Sequence, residues 1–301
     1  MTVRTNPALS SRARSALQAC AQGTMAPNVA AMHLLMEGGD LSALERAIAG
    51  TQTPEAAERL RQARSFATES AAALVPRLSA LLNHNPDLDP ADAVQRWAAA
   101  FDAAVAAHPD ASVALYTLGD PRLTDAASRE IAAALEEWGL TGPDRRVLDI
   151  GCGIGRMEEA LAAEVAEITG IDVSGAMIAG ARERCRAFPN VSFIHGSGKD
   201  LSFISGGTMD LVLAVDALPY LFQAGPDLAG AHILESARIL KPGGRLAVFN
   251  YSYRDDADLD RADIAAFAAA AGLTIALDGA APFETWDARV FLLAKSGPRR
   301  T

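Results

Sequence analysis

The sequence predicts an α/β protein in which a largely parallel sheet, covered by helices on both faces, follows an all-helical region. Three observations carry that prediction. From about Asp120 onward, short apolar runs of strand length alternate with longer stretches of helical period. One of these runs, over 146–150, leads directly into closely spaced glycines and then a helix. The residues before Asp120 show the helical period alone, with proline-marked helix starts. The expected domains are a helical one over 1–120 and an α/β one over 121–301.

In the helical part, Thr53-Pro54-Glu55 sets a capping residue before a proline at the first helical position. Asp89-Pro90-Ala91-Asp92 repeats the arrangement, with acids where the helix dipole favours negative charge. Between Ala91 and Ala107, Val94, Trp97, Phe101 and Val105 recur on one helical face. Pro76, Pro86 and Pro109 punctuate the region, whose helices read as an antiparallel bundle. Farther on, a helix over 123–138 stops at Gly139. Strands are expected over 146–150, 167–172, 191–195, 209–215, 245–250, 273–277 and 288–294. Helices are expected from about 156 and over 175–188, 228–240 and 260–271. The last two strands leave no room for a helix between them. They must form a hairpin, which makes one strand at the sheet edge antiparallel.

Half of the 301 residues are hydrophobic and 21% are charged, which supports a sizeable core. The formal charge is −10, from 27 basic and 37 acidic residues without a basic cluster. Such a chain lacks the electrostatic footprint of a duplex nucleic-acid binder. No apolar run is long enough to span a membrane. The cysteines, Cys20, Cys152 and Cys185, are odd in number and far apart, which fits a reducing, cytoplasmic compartment. Arg4, Arg12, Arg14 and several serines precede the first acid, Glu37, a composition shared with organelle transit peptides. The reading preferred is a helix with a solvated basic face. His33, His84, His108, His195 and His232 show no metal spacing, and no metal is predicted.

The informative segment is Val147-Leu148-Asp149-Ile150-Gly151-Cys152-Gly153-Ile154-Gly155-Arg156. A strand entering such glycines brings backbone close to a ligand at the switch point of an open sheet. The spacing is G-x-G-x-G, so the third glycine arrives one residue earlier than in the dinucleotide fingerprint. Arg156 stands where that fingerprint wants glycine. Asp149 before the turn suits a cationic ligand better than a pyrophosphate.

Together with three later segments, this motif resembles the class I S-adenosylmethionine-dependent methyltransferases, over roughly residues 140–295. Gly170-Ile171-Asp172-Val173-Ser174 matches the family's second strand end, Ser174-Gly175-Ala176-Met177 its following helix start, and Leu240-Lys241-Pro242-Gly243-Gly244 the turn before its fifth strand. The resemblance implies a Rossmann-like seven-stranded sheet of order 3-2-1-4-5-7-6 with the last strand antiparallel. It implies S-adenosyl-L-methionine as cofactor and S-adenosyl-L-homocysteine as product. Asp172 is then the ribose acceptor, and Gly151, Gly153 and Gly155 let backbone approach the cofactor. Asp149 organises the turn and the cofactor's ammonium group. Cys152, Val173 and Val215 line the cofactor, and Met177 contacts adenine. The turn after the third strand, His195-Gly196-Ser197-Gly198-Lys199-Asp200, departs from the family's acid-containing turn, and Ser197 and Gly198 take its place at adenine.

The family's substrate side opens at the ends of strands four and five, here Val215-Asp216-Ala217-Leu218-Pro219-Tyr220 and Asn250-Tyr251-Ser252-Tyr253-Arg254. Methyl transfer to a hydroxyl or ammonium needs a proton acceptor, and Asp216 is the candidate, with Tyr220 and Tyr116 as further catalytic candidates. Asn250, Tyr251, Tyr253, Arg254 and Trp97 are candidates for holding substrate. The leading reading is transfer to oxygen or nitrogen of a small metabolite or natural product, in a pocket under an N-terminal helical cap. A peptide or protein substrate, or a non-catalytic cofactor-binding scaffold, is the alternative. The N-terminal helices also offer a surface for a homodimer. No nucleic-acid or membrane partner is expected. The strand-four turn differs from the Asp/Asn-Pro-Pro-aromatic motif of nucleic-acid amino-methyltransferases.

Overall fold

The computed structural model describes residues 9–82 and 90–297. Arg4, His84, Pro86 and the helix start expected at Asp89 lie outside the described residues. No helix among them is long and apolar enough to cross a membrane.

The chain forms two compact units that interleave along the sequence. One holds the described part of Met1–Asn83 together with Ala103–Ala127 and Phe283–Asp287. Its helices are α1 (Ser11–Gln22), α2 (Pro27–Met36), α3 (Leu41–Ala49), α4 (Pro54–Phe66) and α5 (Glu69–Leu81). They pack through small residues (Ala13, Ala30, Ala47, Ala63) around the fully buried Leu17, Leu34, Leu44 and Leu60. Arg12 and Arg14 lie on α1, whose opposite face supplies Ala13, Leu17 and Cys20 to this core. Pro76 is not a break, as its place in the sequence suggests, but sits inside α5. Next come α6 (Pro90–Ala107), the short α7 (Pro109–Val113) and α8 (Pro121–Glu137). In α6, residues up to Asp102 belong with the second unit.

The second unit is built on β1 (Gly142–Ile150), β2 (Val165–Asp172), β3 (Val191–His195), β4 (Met209–Val215), β5 (Leu240–Phe249), β6 (Leu273–Ala280) and β7 (Val290–Lys295). Their order is β3-β2-β1-β4-β5-β7-β6. Strands β1 to β5 pair in parallel, whereas β7 is antiparallel to both β5 and β6. The antiparallel strand therefore sits one place in from the edge, and β6 forms the edge. The helices are α9 (Arg156–Leu161), α10 (Gly175–Arg184), α11 (Leu218–Ala224), α12 (Pro226–Ile239) and α13 (Ala257–Ala271). Helix α11 falls where the sequence reads as a strand-end loop, and Pro219 opens it.

Parallel pairing puts the carboxyl ends of β1, β2, β4 and β5 on one edge of the sheet, where open α/β sheets bind ligands. The strands beneath are held by Leu148, Val212, Leu246, Val248 and Phe291, all at most 1% exposed. Leu148→Ala removes the central contact of this layer. It should lower the denaturant midpoint without changing the m-value, at a cost of about 2–5 kcal/mol.

Candidate active site

The turn after β1 is tied to the end of β2. The Gly151 and Cys152 N–H groups donate to the Ile171 carbonyl at 2.8 and 3.0 Å. The Gly153 N–H donates to Asp172 Oδ2 at 2.9 Å, and the Ser174 N–H donates to Asp172 Oδ1 at 2.8 Å. One carboxylate thus organises both the glycine turn and the start of α10, the turn role that the sequence reading gives to Asp149. Gly151 and Gly153 take φ of 74° and 55°, conformations that side chains resist. A methyl group on Gly151 would lie 2.5 Å from the Ala217 Cβ, so the turn abuts the residue next to Asp216. Gly155, at φ 78°, starts α9.

Asp149 is buried beneath this turn, and its Oδ1 has no hydrogen-bond partner among the described residues. Burial above all raises its acid to about 7, the nearby Asp172 adds to the rise, and Arg156 opposes it. Burial also raises Asp172, against the pull of its backbone donors. Cys152 is buried, and its thiol is pushed up first by burial and then by the acids around it. It stays a thiol and lines the turn as a small apolar group.

Farther along the edge, Val173 offers its carbonyl to His195 Nε2 at 2.9 Å. Met177 is buried in α10, and its N–H donates to Ser174 Oγ. Ser197 Oγ accepts from the Lys199 N–H, and Gly198 has φ 68° with the Val173 and Val94 side chains against it. Val94 lies on α6, and so does a residue that sequence reasoning missed. Asp102 accepts from Ser174 Oγ at 2.5 Å and from the Ala176 N–H at 3.1 Å, capping α10 from another helix. Only the fold brings it there, since no local pattern marks an acid that caps a distant helix.

The ends of β4 and β5 form a second cluster. Asp216 and Asn250 both take left-handed backbone, at φ 59° and 61°. Such conformations cost on the order of 1–3 kcal/mol and gather at functional sites. Asn250 Oδ1 accepts from the Arg289 N–H at 3.0 Å, which turns its Nδ2 toward Asp216 Oδ1, also at 3.0 Å. Tyr253 is hydrogen-bonded to both Asp216 and Tyr220. With Asp216 ionised the order is fixed: Tyr220 donates to Tyr253, and Tyr253 donates to the carboxylate. Burial, then the Asp216 charge, pushes both phenols above their ordinary range, so they act as donors. The Tyr220 ring meets Trp97 and Phe101 of α6 edge-on at 5.0 and 4.9 Å, and Tyr253 at 5.8 Å.

Three expected site residues stand elsewhere. Arg254 spends its charge inside the protein, bonded to Asp260 at 2.7 Å and Asp263 at 2.8 Å and lying over the Phe222 ring. Tyr251 is fully buried and packs on Phe222, as part of the core under the strand ends. Tyr116 belongs to the helical unit, where its ring stacks on Trp286 at 5.1 Å and its carbonyl accepts from Asn28. Val215 is buried in β4 and leads into Asp216. No group of three or more His, Cys, Asp or Glu among the described residues is placed to hold a metal.

Residues 147–244 match the model of a methyltransferase domain. The chain is 36% identical over 121 residues to demethylmenaquinone methyltransferase of Tropheryma whipplei, covering 40% of this chain and 47% of that protein. It is 34% identical over 109 residues to the ubiquinone biosynthesis O-methyltransferase of Aromatoleum aromaticum, covering 36% and 44%. The chain thus spans under half the length of these curated relatives. Among solved structures, phosphoethanolamine N-methyltransferase 1 of Haemonchus contortus shares the fold, with a TM-score of 0.54 at 16% identity over 71% of this chain and 51% of that one. A glycine turn of this spacing, buried acids at the ends of β1 and β2 and the sheet order 3-2-1-4-5-7-6 mark the domain that holds residues 147–244 as a methyltransferase domain of the class I S-adenosylmethionine-dependent kind.

Proposed function

We propose that the protein transfers a methyl group from S-adenosylmethionine to an oxygen or nitrogen of a small molecule, with Asp216 accepting the proton. The observation that carries this reading is the contact of Ala217 with Gly151, which puts the strained Asp216 beside the glycine turn. The residues of the turn fit the cofactor: positive-φ glycines admit a close ligand, and the buried Asp149 beneath them is an acid suited to a cationic group. Asp172 keeps lone pairs for the ribose hydroxyls beyond the bonds from its backbone donors. When bound, the cofactor supplies an electrophilic methyl on a sulfonium.

This chain's own residues would then do three things. Asn250 and Tyr253 hold the Asp216 carboxylate in one orientation, which serves a proton acceptor. Trp97 and Phe101 close over Tyr220 and keep water from the strand ends. Asp102 fixes that part of α6 at the start of α10, so one helix serves both the cofactor side and the acid–tyrosine cluster. One named relative is a demethylmenaquinone methyltransferase and the other a ubiquinone biosynthesis O-methyltransferase, and the rings of Trp97, Phe101, Tyr220 and Tyr253 support a substrate with an aromatic ring here. Arg254 is left out, because Asp260 and Asp263 already neutralise it.

Calorimetry on the purified full chain should show binding of S-adenosylmethionine and S-adenosylhomocysteine and none of NAD; the reverse result ends this reading. Asp172→Ala should weaken cofactor binding by about 1.5–3 kcal/mol for each charged hydrogen bond lost. Asp216→Asn should lower kcat by about a hundredfold or more with cofactor affinity intact, the usual contribution of a proton acceptor. Asp102→Ala should raise the KM for cofactor and cost about 0.5–2 kcal/mol of stability, as the loss of a helix cap does.

A further inference from the structure

Glu158, in the first turn of α9, takes no part in the mechanism above, yet it is the most deeply buried acid of the site. It is 0% exposed, and no side chain among the described residues donates a hydrogen bond to either carboxyl oxygen. It lies under the glycine turn, where a methyl group on Gly170 of β2 would overlap its carboxyl and the Cys152 side chain. Its carboxyl is within hydrogen-bonding reach of Asp149, whose Oδ1 also lacks a partner. The titratable groups facing the pair are Arg156 on α9, Asp172 on β2, Cys152 in the turn and Cys185 beyond the end of α10. Arg156 is itself buried and donates to Ser128 Oγ at 3.2 Å.

Two carboxylates can meet in hydrogen-bonding contact only if a proton lies between them, and like charges this deep cannot both persist. We propose that Glu158 is a positioning residue of the cofactor site, holding a proton that it donates to Asp149 and so orienting that carboxylate toward the cofactor's ammonium group. The assignment rests on the methyltransferase reading given above. The shared proton limits the pair to one negative charge, and Arg156 balances much of what the pair and Asp172 carry. A site with a small excess of negative charge remains for a cationic ligand.

The pH dependence follows in sign. Burial raises both acids and brings Asp149 to about 7, so the pair takes its second proton as the pH falls through that value. Asp149 is then neutral, and cofactor affinity falls. Above that pH the pair keeps its single proton and the affinity is restored.

The experiment is infrared spectroscopy of the full chain without cofactor, alongside calorimetry with S-adenosylhomocysteine across pH. At pH about 8 the wild type should show the carbonyl stretch of a protonated carboxyl group, and Glu158→Gln should abolish it. The glutamine amide donates permanently to Asp149 as the protonated Glu158 does, so this variant should bind S-adenosylhomocysteine within about threefold of wild type, with the affinity transition kept near pH 7. Glu158→Leu removes the donor and should weaken binding by about ten- to a hundredfold, the worth of a hydrogen bond to a charged group. A wild type without the band, or a band that survives Glu158→Gln, overturns the proposal. So does an affinity that Glu158→Gln loses as fully as Glu158→Leu in a folded protein. If the band behaves as expected but neither S-adenosyl ligand binds, the shared proton stands and the methyltransferase reading, with the positioning role that rests on it, falls.

Discussion

The geometry of the site depends on one buried carboxylate, that of Asp172, which accepts the N–H groups of Gly153 and Ser174 at the end of β2. Charge-assisted bonds of this kind are about twice as strong as neutral ones, and burial keeps water from competing for them. The two donors belong to different segments, one to the glycine turn after β1 and the other to the start of α10. Fixing both on a single carboxylate sets the spacing between them. The Ile171 carbonyl, accepting from Gly151 and Cys152, adds the third tie. The strands below supply the rigid base that such a constellation needs.

Burial of acids is also the main electrostatic fact of the molecule. Asp149, Glu158 and Asp172 lie within one small volume with Arg156 as the cation among them. Stability alone would not select such a cluster, because desolvation of several carboxylates costs more than their pairing returns. A cationic ligand and a shared proton make the arrangement physically reasonable. Beside the turn on the same sheet edge, Asp216 is partly exposed and bonded to Asn250 and Tyr253. Two kinds of acid thus stand on the same edge, a buried set at the glycine turn and a partly exposed, hydrogen-bonded one beside it.

The part of α6 up to Asp102 belongs to the same unit as the sheet and packs along its edge. Its Asp102 caps α10, its Val94 packs on the Gly198 turn, and its Trp97 and Phe101 meet Tyr220. These residues recur at helical spacing, so one face of one helix reaches the start of α10, the Gly198 turn and the tyrosine cluster together.

Much of this was legible in the residues. The alternation of strand and helix, the early third glycine, Asp149, Asp172 and the hairpin at the end are local patterns, and local patterns report on backbone geometry. The apolar face of α6 was legible for the same reason, through Trp97 and Phe101. What the fold alone decided are contacts between positions far apart in the chain. Arg254 looks like a free cation beside a pocket, and two acids of α13 bind it. Tyr116 looks like a pocket tyrosine, and Trp286 stacks on it in the helical unit. Asp102 looks like an ordinary solvated acid, and it caps a helix more than seventy residues away. Glu158 looks like a favourable charge at a helix start, and packing against Gly170 buries it facing Asp149. The chain's local chemistry sets which backbone shapes form, whereas the partner of each charge depends on which surfaces the folded sheet and helices bring together.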